Sequence, residues 1–285
     1  MPYRLQRMFC FALLVCCGMQ AQAAESRVGF AEHEKLQQLL KVEMVLSAGQ
    51  TTLEEWIVQL EGVVGLPVLK DRDLDEDQLI KLPAGKITLK GVLEQIALQT
   101  DSSVLFFAQM AYIGPTERVH PLKTLIALRE QQLKSLPKAV RNRWLTPTDF
   151  QWQERVTTAQ LLQEMQAQGR VEIENPEAIE HDVWRGNQLA QITRIELWSL
   201  VLIQFDAHFE FDSTGEQIRL VTVDALQPIE LTQKRRLVRG VTSETLAELQ
   251  KQYAGCQFEV QGRSLLLTGT AEWLDAVSRL LDAAN

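Results

Sequence analysis

The sequence predicts an α+β protein of three consecutive units, and three observations predict it. The chain matches itself at an offset of 105: Thr52, Asp77, Ile87, Thr88, Gln99, Asp101 and Phe106 fall on Thr157, Asp182, Ile192, Thr193, Gln204, Asp206 and Phe211. A second echo, at 36, relates Thr52 to Thr88 and Thr157 to Thr193, and a fifth relative begins at Val241-Thr242. After each of these threonines the apolar period is first that of a helix and then that of a short strand. Amphipathic helices laid on small sheets make a two-layer α+β unit.

In chain order, residues 1–23 read as a secretory signal: Arg4 and Arg7, an apolar run from Met8 to Cys17, then Ala21-Gln22-Ala23 as the cleavage rule requires. The run falls short of the roughly 20 apolar residues that span a bilayer, so export with cleavage near Ala23 is expected over a retained anchor. The small residue expected before a lipidated cysteine is missing at Cys16 and Cys17.

The first unit, 24–115, carries a strand "VEMVL" at 42–46 and a helix after Thr52 whose Leu53, Trp56, Ile57 and Leu60 share one face. Strand "LPVL", an extended segment around Leu79 to Leu82, a helix with Leu89, Val92, Leu93 and Ile96, and strands "VLFF" and "AYIG" follow. Each threonine hydroxyl is placed to accept from a first-turn N–H. The second unit, 149–226, repeats this from "DFQW" through helices after Thr157 and Thr193 to "FEF" and "IRLVTV". The helix after Thr193 is apolar on more than one side and is expected to be the most buried. Each copy thus reads βαββαββ. The third unit, 227–285, reads "IELTQ", helix, "QFEV", a Gln261-Gly262 turn, "SLLLT" and a closing helix capped by Thr270, a βαββα order.

The stretches "TTLEEWIVQLEGVVGLPVLKD" and "ITLKGVLEQIALQTDSSVLFF" resemble the short domain at the N-termini of secretins and TonB-dependent receptors, the STN domain. The tail "LLLTGTAEWLDAVSRLLDAA" is similar to the βαββα periplasmic domain that follows in secretins. The resemblance implies envelope modules that bind protein partners or stack into rings, without a catalytic triad. Secretins continue into a barrel region, whereas this sequence ends at Asn285, so the expectation is that it forms no outer-membrane pore by itself.

Charge narrows the partners. Removing residues 1–23 takes two of 29 basic side chains and none of 37 acidic ones, so a net charge of −8 becomes −10 and general nucleic-acid binding is disfavoured. Of the four cysteines only Cys256 survives, too few for an internal disulfide or a thiolate metal site. It reads as a small buried residue on a strand, with a disulfide to a partner chain as the alternative.

Chemistry-bearing motifs are scarce. His33, His120, His181 and His208 lack metal-ligand spacing, and there is no phosphate-cradling glycine loop and no G-x-S-x-G elbow. Ser264 follows a turn but leads into a strand. "DRDLDED" at 71–77 begins like a calcium loop, yet Glu76 stands where the turn glycine belongs and Leu82 at the twelfth position, so a solvated acidic connection is expected. No metal, cofactor or catalytic residue is assigned. Trp56, Trp198 and Trp273 are read as core, while Trp144 and Trp152 remain available to stack on a sugar or peptide.

The connector 116–148 is basic, with Arg118, Lys123, Arg129, Lys134, Lys138, Arg141 and Arg143 against Glu117 and Glu130. It is expected to be a helix punctuated by Pro137 and Pro147. It reads as a solvated strut paired with acidic neighbours, or as a face for an anionic glycan or lipid joined by Lys234, Arg235, Arg236 and Arg239. The leading expectation is a noncatalytic envelope adaptor that binds an envelope protein or itself through sheet edges, with Met44 marking the edge strand. The alternatives are a module for anionic envelope polymer, held by Arg129, Lys134, Lys138, Arg141, Arg143, Lys234, Arg235 and Arg236, and a hydrolase using carboxylates gathered only by folding.

Overall fold

The computed structural model describes residues 34–107, 109–223, 229–236, 243–262 and 264–283. The expected signal segment 1–23, Thr242 and Arg239 lie outside them. The fold is mixed α+β, and among the described residues no helix is long and apolar enough to cross a membrane.

After a short helix α1 (Glu34–Leu40), the first unit runs β1 (Glu43–Leu46), β2 (Gly49–Thr52), α2 (Leu53–Val64), β3 (Val68–Lys70), β4 (Leu79–Leu82), β5 (Gly85–Thr88), α3 (Leu89–Gln99), β6 (Ser103–Phe107) and β7 (Met110–Gly114). Strand β1 pairs antiparallel with β5, β2 antiparallel with β4, and β7 lies between parallel β3 and antiparallel β6. Thr52 and Thr88 cap α2 and α3 as their position predicts. Thr52 accepts from Glu55 N–H while the Glu55 carboxylate reaches back, whereas Thr88 accepts from Gly91 N–H without a return bond, because glycine has no side chain to give one.

Two helices follow, α4 (Thr116–Leu133) and α5 (Lys138–Leu145). Then the pairing scheme repeats. Strands β8 (Thr148–Trp152), β9 (Val156–Thr157), β10 (Glu172–Ile173), β11 (Val183–Trp184), β12 (Asn187–Ile192), β13 (Ala207–Phe211) and β14 (Gln217–Thr222) surround α6 (Thr158–Gly169) and α7 (Arg194–Ile203). Here β8 pairs antiparallel with β12, β9 antiparallel with β11, and β14 lies between parallel β10 and antiparallel β13. Both regions therefore have more strands than the βαββαββ order predicts. The extra ones, β2, β5 and β9 with the run-up to α7, are short polar segments such as "GQTT" and "GKIT". They become strands only because a partner crosses beside them.

The last segments are β15 (Leu231–Arg236), α8 (Ser243–Gln252), β16 (Gln257–Gln261), β17 (Ser264–Gly269) and α9 (Ala271–Ala283), with β17 central between antiparallel β15 and β16. Cys256 is fully buried and free, one residue ahead of β16.

The connector departs most from expectation. It is no solvated strut. Leu122, Leu125, Ile126, Leu133, Leu136, Val140 and Trp144 sit in the largest apolar core together with Leu105, Phe107 and Tyr112 of the first region and Trp198, Leu202 and Phe209 of the second. The other face of the first sheet, with Val68, Phe106 and Ile113, packs on α2 and α3 in a separate core. Helix on both faces is why every residue of β7 is buried. Helix α4 also meets the terminal unit, where the buried Thr124 hydroxyl accepts from the Ala271 N–H at 3.0 Å and caps the first turn of α9.

Candidate interaction surfaces

The predicted edge strand is β1, which pairs only with β5 among the described residues. Its register decides which backbone groups are free. The Leu89 N–H donates to the Val42 carbonyl at 2.9 Å, which makes Val42 and Leu89 a hydrogen-bonded pair. Bonded and non-bonded pairs alternate along an antiparallel ladder. Met44, opposite Ile87, is therefore bonded into β5, while Glu43 and Val45 turn their backbone groups to the open side. On the faces of the sheet, the Met44 side chain packs against the core that holds α2 and α3, and Val45, on the opposite face, is 78 % exposed. Met44 is thus corrected as the edge marker; Glu43 and Val45 present the edge.

The predicted basic face is dispersed. Arg129 is buried and donates to the Phe209 carbonyl, so it is a packing element and not part of an open cationic surface. Burial lowers its pKa, and the nearby charge of Glu210 offsets only part of that effect. Lys134 and Lys138 are exposed, and Arg141 and Arg143 are half-buried, with Arg143 Nη2 donating to the Gly215 carbonyl at 3.1 Å. Lys234 is exposed on β15, and Arg235 donates to the Ser278 carbonyl at 3.2 Å; Arg236 lies on the same strand. Helix α5 packs on α7, whereas β15 packs on β17 and α4, so these two basic segments belong to different packing units.

The pairing of the connector with acidic neighbours does form, at Arg118, but around a buried carboxylate. Asp71, at the start of the acidic stretch, is fully buried. Its carboxylate accepts from the Tyr112 hydroxyl, from Asp73 N–H at 3.0 Å and from Arg118 Nη1 at 2.9 Å. The same Arg118 reaches Asp73 at 2.6 Å and, through Nε and Nη2, Asp206 at 2.8 and 3.0 Å. Arg72 adds an ion pair to Asp182 at 3.0 Å, a backbone bond to Gln204 and a guanidinium 4.5 Å above the Phe205 ring. Asp71 and Arg72 follow β3; Asp182, Gln204 and Asp206 belong to the second region, so the network ties the two regions together through the first turn of α4. A second tie runs from Arg185 to Glu54 at 2.9 Å and Glu61 at 3.7 Å.

The electrostatics follow from burial. Desolvation pushes the Asp71 carboxyl up despite its bonds to Asp73, Tyr112 and Arg118, and it pushes the Tyr112 phenol well up, reinforced by Asp71. The hydrogen bonds from Arg118 hold Asp206 below the usual carboxylate range. Desolvation, with Glu196 nearby, raises Glu130 to about 7. The solvated-connection expectation therefore fails at Asp71, which with Asp73 serves the ion-pair network around Arg118, while Asp75, Glu76 and Asp77 are exposed as expected. Sequence reading could have found this by asking why the lone Arg118 opens α4 beside two acid-rich turns.

The tryptophans are corrected as well. Trp144 is fully buried, stacked on Phe209 at 5.5 Å, and Trp152 is 4 % exposed with its indole N–H on the Arg185 carbonyl, so neither offers a free ring for a sugar. Trp273, expected in the core, is 37 % exposed and meets Tyr253 edge-on at 5.4 Å. Among the described residues no three His, Cys, Asp or Glu side chains gather as a metal site. No protein-family model and no curated protein matches the chain.

Proposed function

We propose that this chain is an exported, noncatalytic adaptor of the cell envelope, made of two STN-like units around a packed helical connector with a secretin-like βαββα unit at its end. It binds an extended segment of an envelope protein, or a second copy of itself, by strand addition along β1. One observation carries this reading: Glu43 and Val45 present backbone groups unpaired among the described residues on an edge strand, beside a valine side chain that is 78 % exposed. The ion pairs between the two regions support the reading, because a fixed scaffold holds the edge in one orientation toward a partner.

The test is Val45→Pro. Since Met44 and not Val45 bonds to β5, this substitution removes an outward N–H while leaving the β1–β5 ladder. The adaptor reading expects a native circular-dichroism spectrum together with loss of the species co-purified from solubilised envelopes. Undiminished co-purification by the folded variant would overturn it.

A further inference from the structure

Beside the connector lies a pocket of about 630 Å³ walled by α5, the end of α6 and the start of α7. Three guanidiniums line it, those of Arg143, Arg170 and Arg194, with Glu216 as the single acid. None of the three makes an ion pair among the described residues. Arg194 instead donates to the carbonyls of Arg143 and, at 3.2 Å, Gln168; Arg143 donates to the Gly215 carbonyl at 3.1 Å. Carbonyls orient these side chains without neutralising them. The Nε atoms of Arg143 and Arg194 are buried and have no hydrogen-bond partner among the described residues. A buried donor left unmatched is uncommon enough to require a reason.

The placement is unfavourable in two further respects. Arg194 is the first residue of α7, at the end of the helix dipole that repels cations. Burial lowers its pKa first, and the charges of Arg143 and then Arg170 lower it further. Such a cluster is costly to a fold unless an anion completes it.

We propose that this pocket binds a phosphoryl group, carried either by a soluble phosphate ester or by a phosphate-bearing lipid or polymer of the envelope. Three arginines against one acid leave a net charge of two, which suits a dianion. Guanidinium forks match phosphate oxygens. A pocket of this volume holds more than a carboxylate, with Val140 and Thr146 as its less polar wall. The site lies on the second region and the connector and does not depend on the β1 reading.

The mature chain is titrated calorimetrically, at constant ionic strength, with inorganic phosphate and with phosphatidylcholine vesicles with and without phosphatidic acid. Arg170→Gln and Arg194→Gln, the first at an exposed position, are compared with Lys81→Gln at an exposed position of β4, each checked by circular dichroism. Loss of one charge-assisted contact weakens binding about tenfold. The expected result is weakening of that order in both arginine variants and none in Lys81→Gln. Binding of phosphate alone assigns a soluble ester, binding of acidic vesicles alone assigns a headgroup, and both support the pocket. Equal weakening in Lys81→Gln, or no binding of either probe by the wild type, overturns it. Because Arg170 is exposed, a folded variant is available even where Arg194→Gln does not fold.

Discussion

Replacing Arg118 with leucine tests the ion-pair network that joins the two homologous-looking regions. The side chain of Arg118 is 11 % exposed and serves three carboxylates, of which Asp73 and Asp206 are 50 % and 57 % exposed and Asp71 not at all. The two exposed pairs are screened by water and contribute about 0.5 kcal/mol each. Asp71 dominates: removing one partner of a buried pair leaves an uncompensated charge and costs about 3–5 kcal/mol. Urea unfolding followed by tryptophan fluorescence at pH 7 should show a loss of about that size. Asp71→Asn in the Arg118→Leu background should recover a large part of it, because the orphaned charge is then gone.

The pH dependence has a definite sign. The folded-state pKa of Asp71 is raised, so its favourable contribution is full below the unfolded value and is lost as pH rises through the folded one. Without Arg118 the carboxyl rises further, and the penalty in the variant should shrink as pH falls from 7 to 5. Asp206 shifts the other way, its stabilisation being present above the ordinary value of 3.8 and lost as pH falls through the lowered one. It therefore does not vary within this window. A loss under about 1 kcal/mol at pH 7, or no rescue by Asp71→Asn, would refute the reasoning.

Other expectations follow from single sites. Gly215 has φ of 74°, and an added Cβ would stand 2.6 Å from Val140 Cγ1 and 2.7 Å from Leu136 Cδ1; Gly215→Ala should cost about 2–4 kcal/mol in denaturant titration. Thr193→Ala, which removes both the acceptor for Glu196 N–H and one half of a capping box, should cost about 1 kcal/mol and lower the melting temperature. Glu130, raised to about 7, contributes stability below its ordinary value of 4.5 that is lost as pH rises through about 7. Glu130→Gln should flatten the stability profile across that interval in thermal melts.

What was legible in the sequence was local. The caps at Thr52, Thr88, Thr157 and Thr193 follow from a hydroxyl next to a 3.6-residue apolar period, and all four form; Thr242 lies outside the described residues. The α+β class and the element order of the terminal segment were legible for the same reason. Strands β2, β5 and β9 were not, since nothing in "GQTT" or "GKIT" marks a strand until a partner pairs with it. The burial of α4 was also hidden. Its apolar residues are spread around the helix because the first sheet, α7 and the terminal unit cover different sides, and a spread pattern with many basic residues resembles a solvated helix.

The interaction surfaces were legible only in part. "VEMVL" identified the right strand, but the choice between Met44 and Val45 depends on the hydrogen-bond phase set by Leu89 and Val42, which no side-chain pattern encodes. Arg129 read as surface because arginine usually is. Arg170 and Arg194 went unremarked because folding alone brings them beside Arg143. The one local signal was a cation in the first turn of α7, contrary to the helix dipole.

The central claim, strand addition along β1, is tested most directly by placing a photoreactive amino acid at Val45 in the full chain and irradiating intact cells. The account predicts one dominant covalent adduct, with a specific envelope protein or a second copy, absent when the same group replaces Leu98, which is 72 % exposed on α3. Equal or absent adducts at the two positions would contradict it.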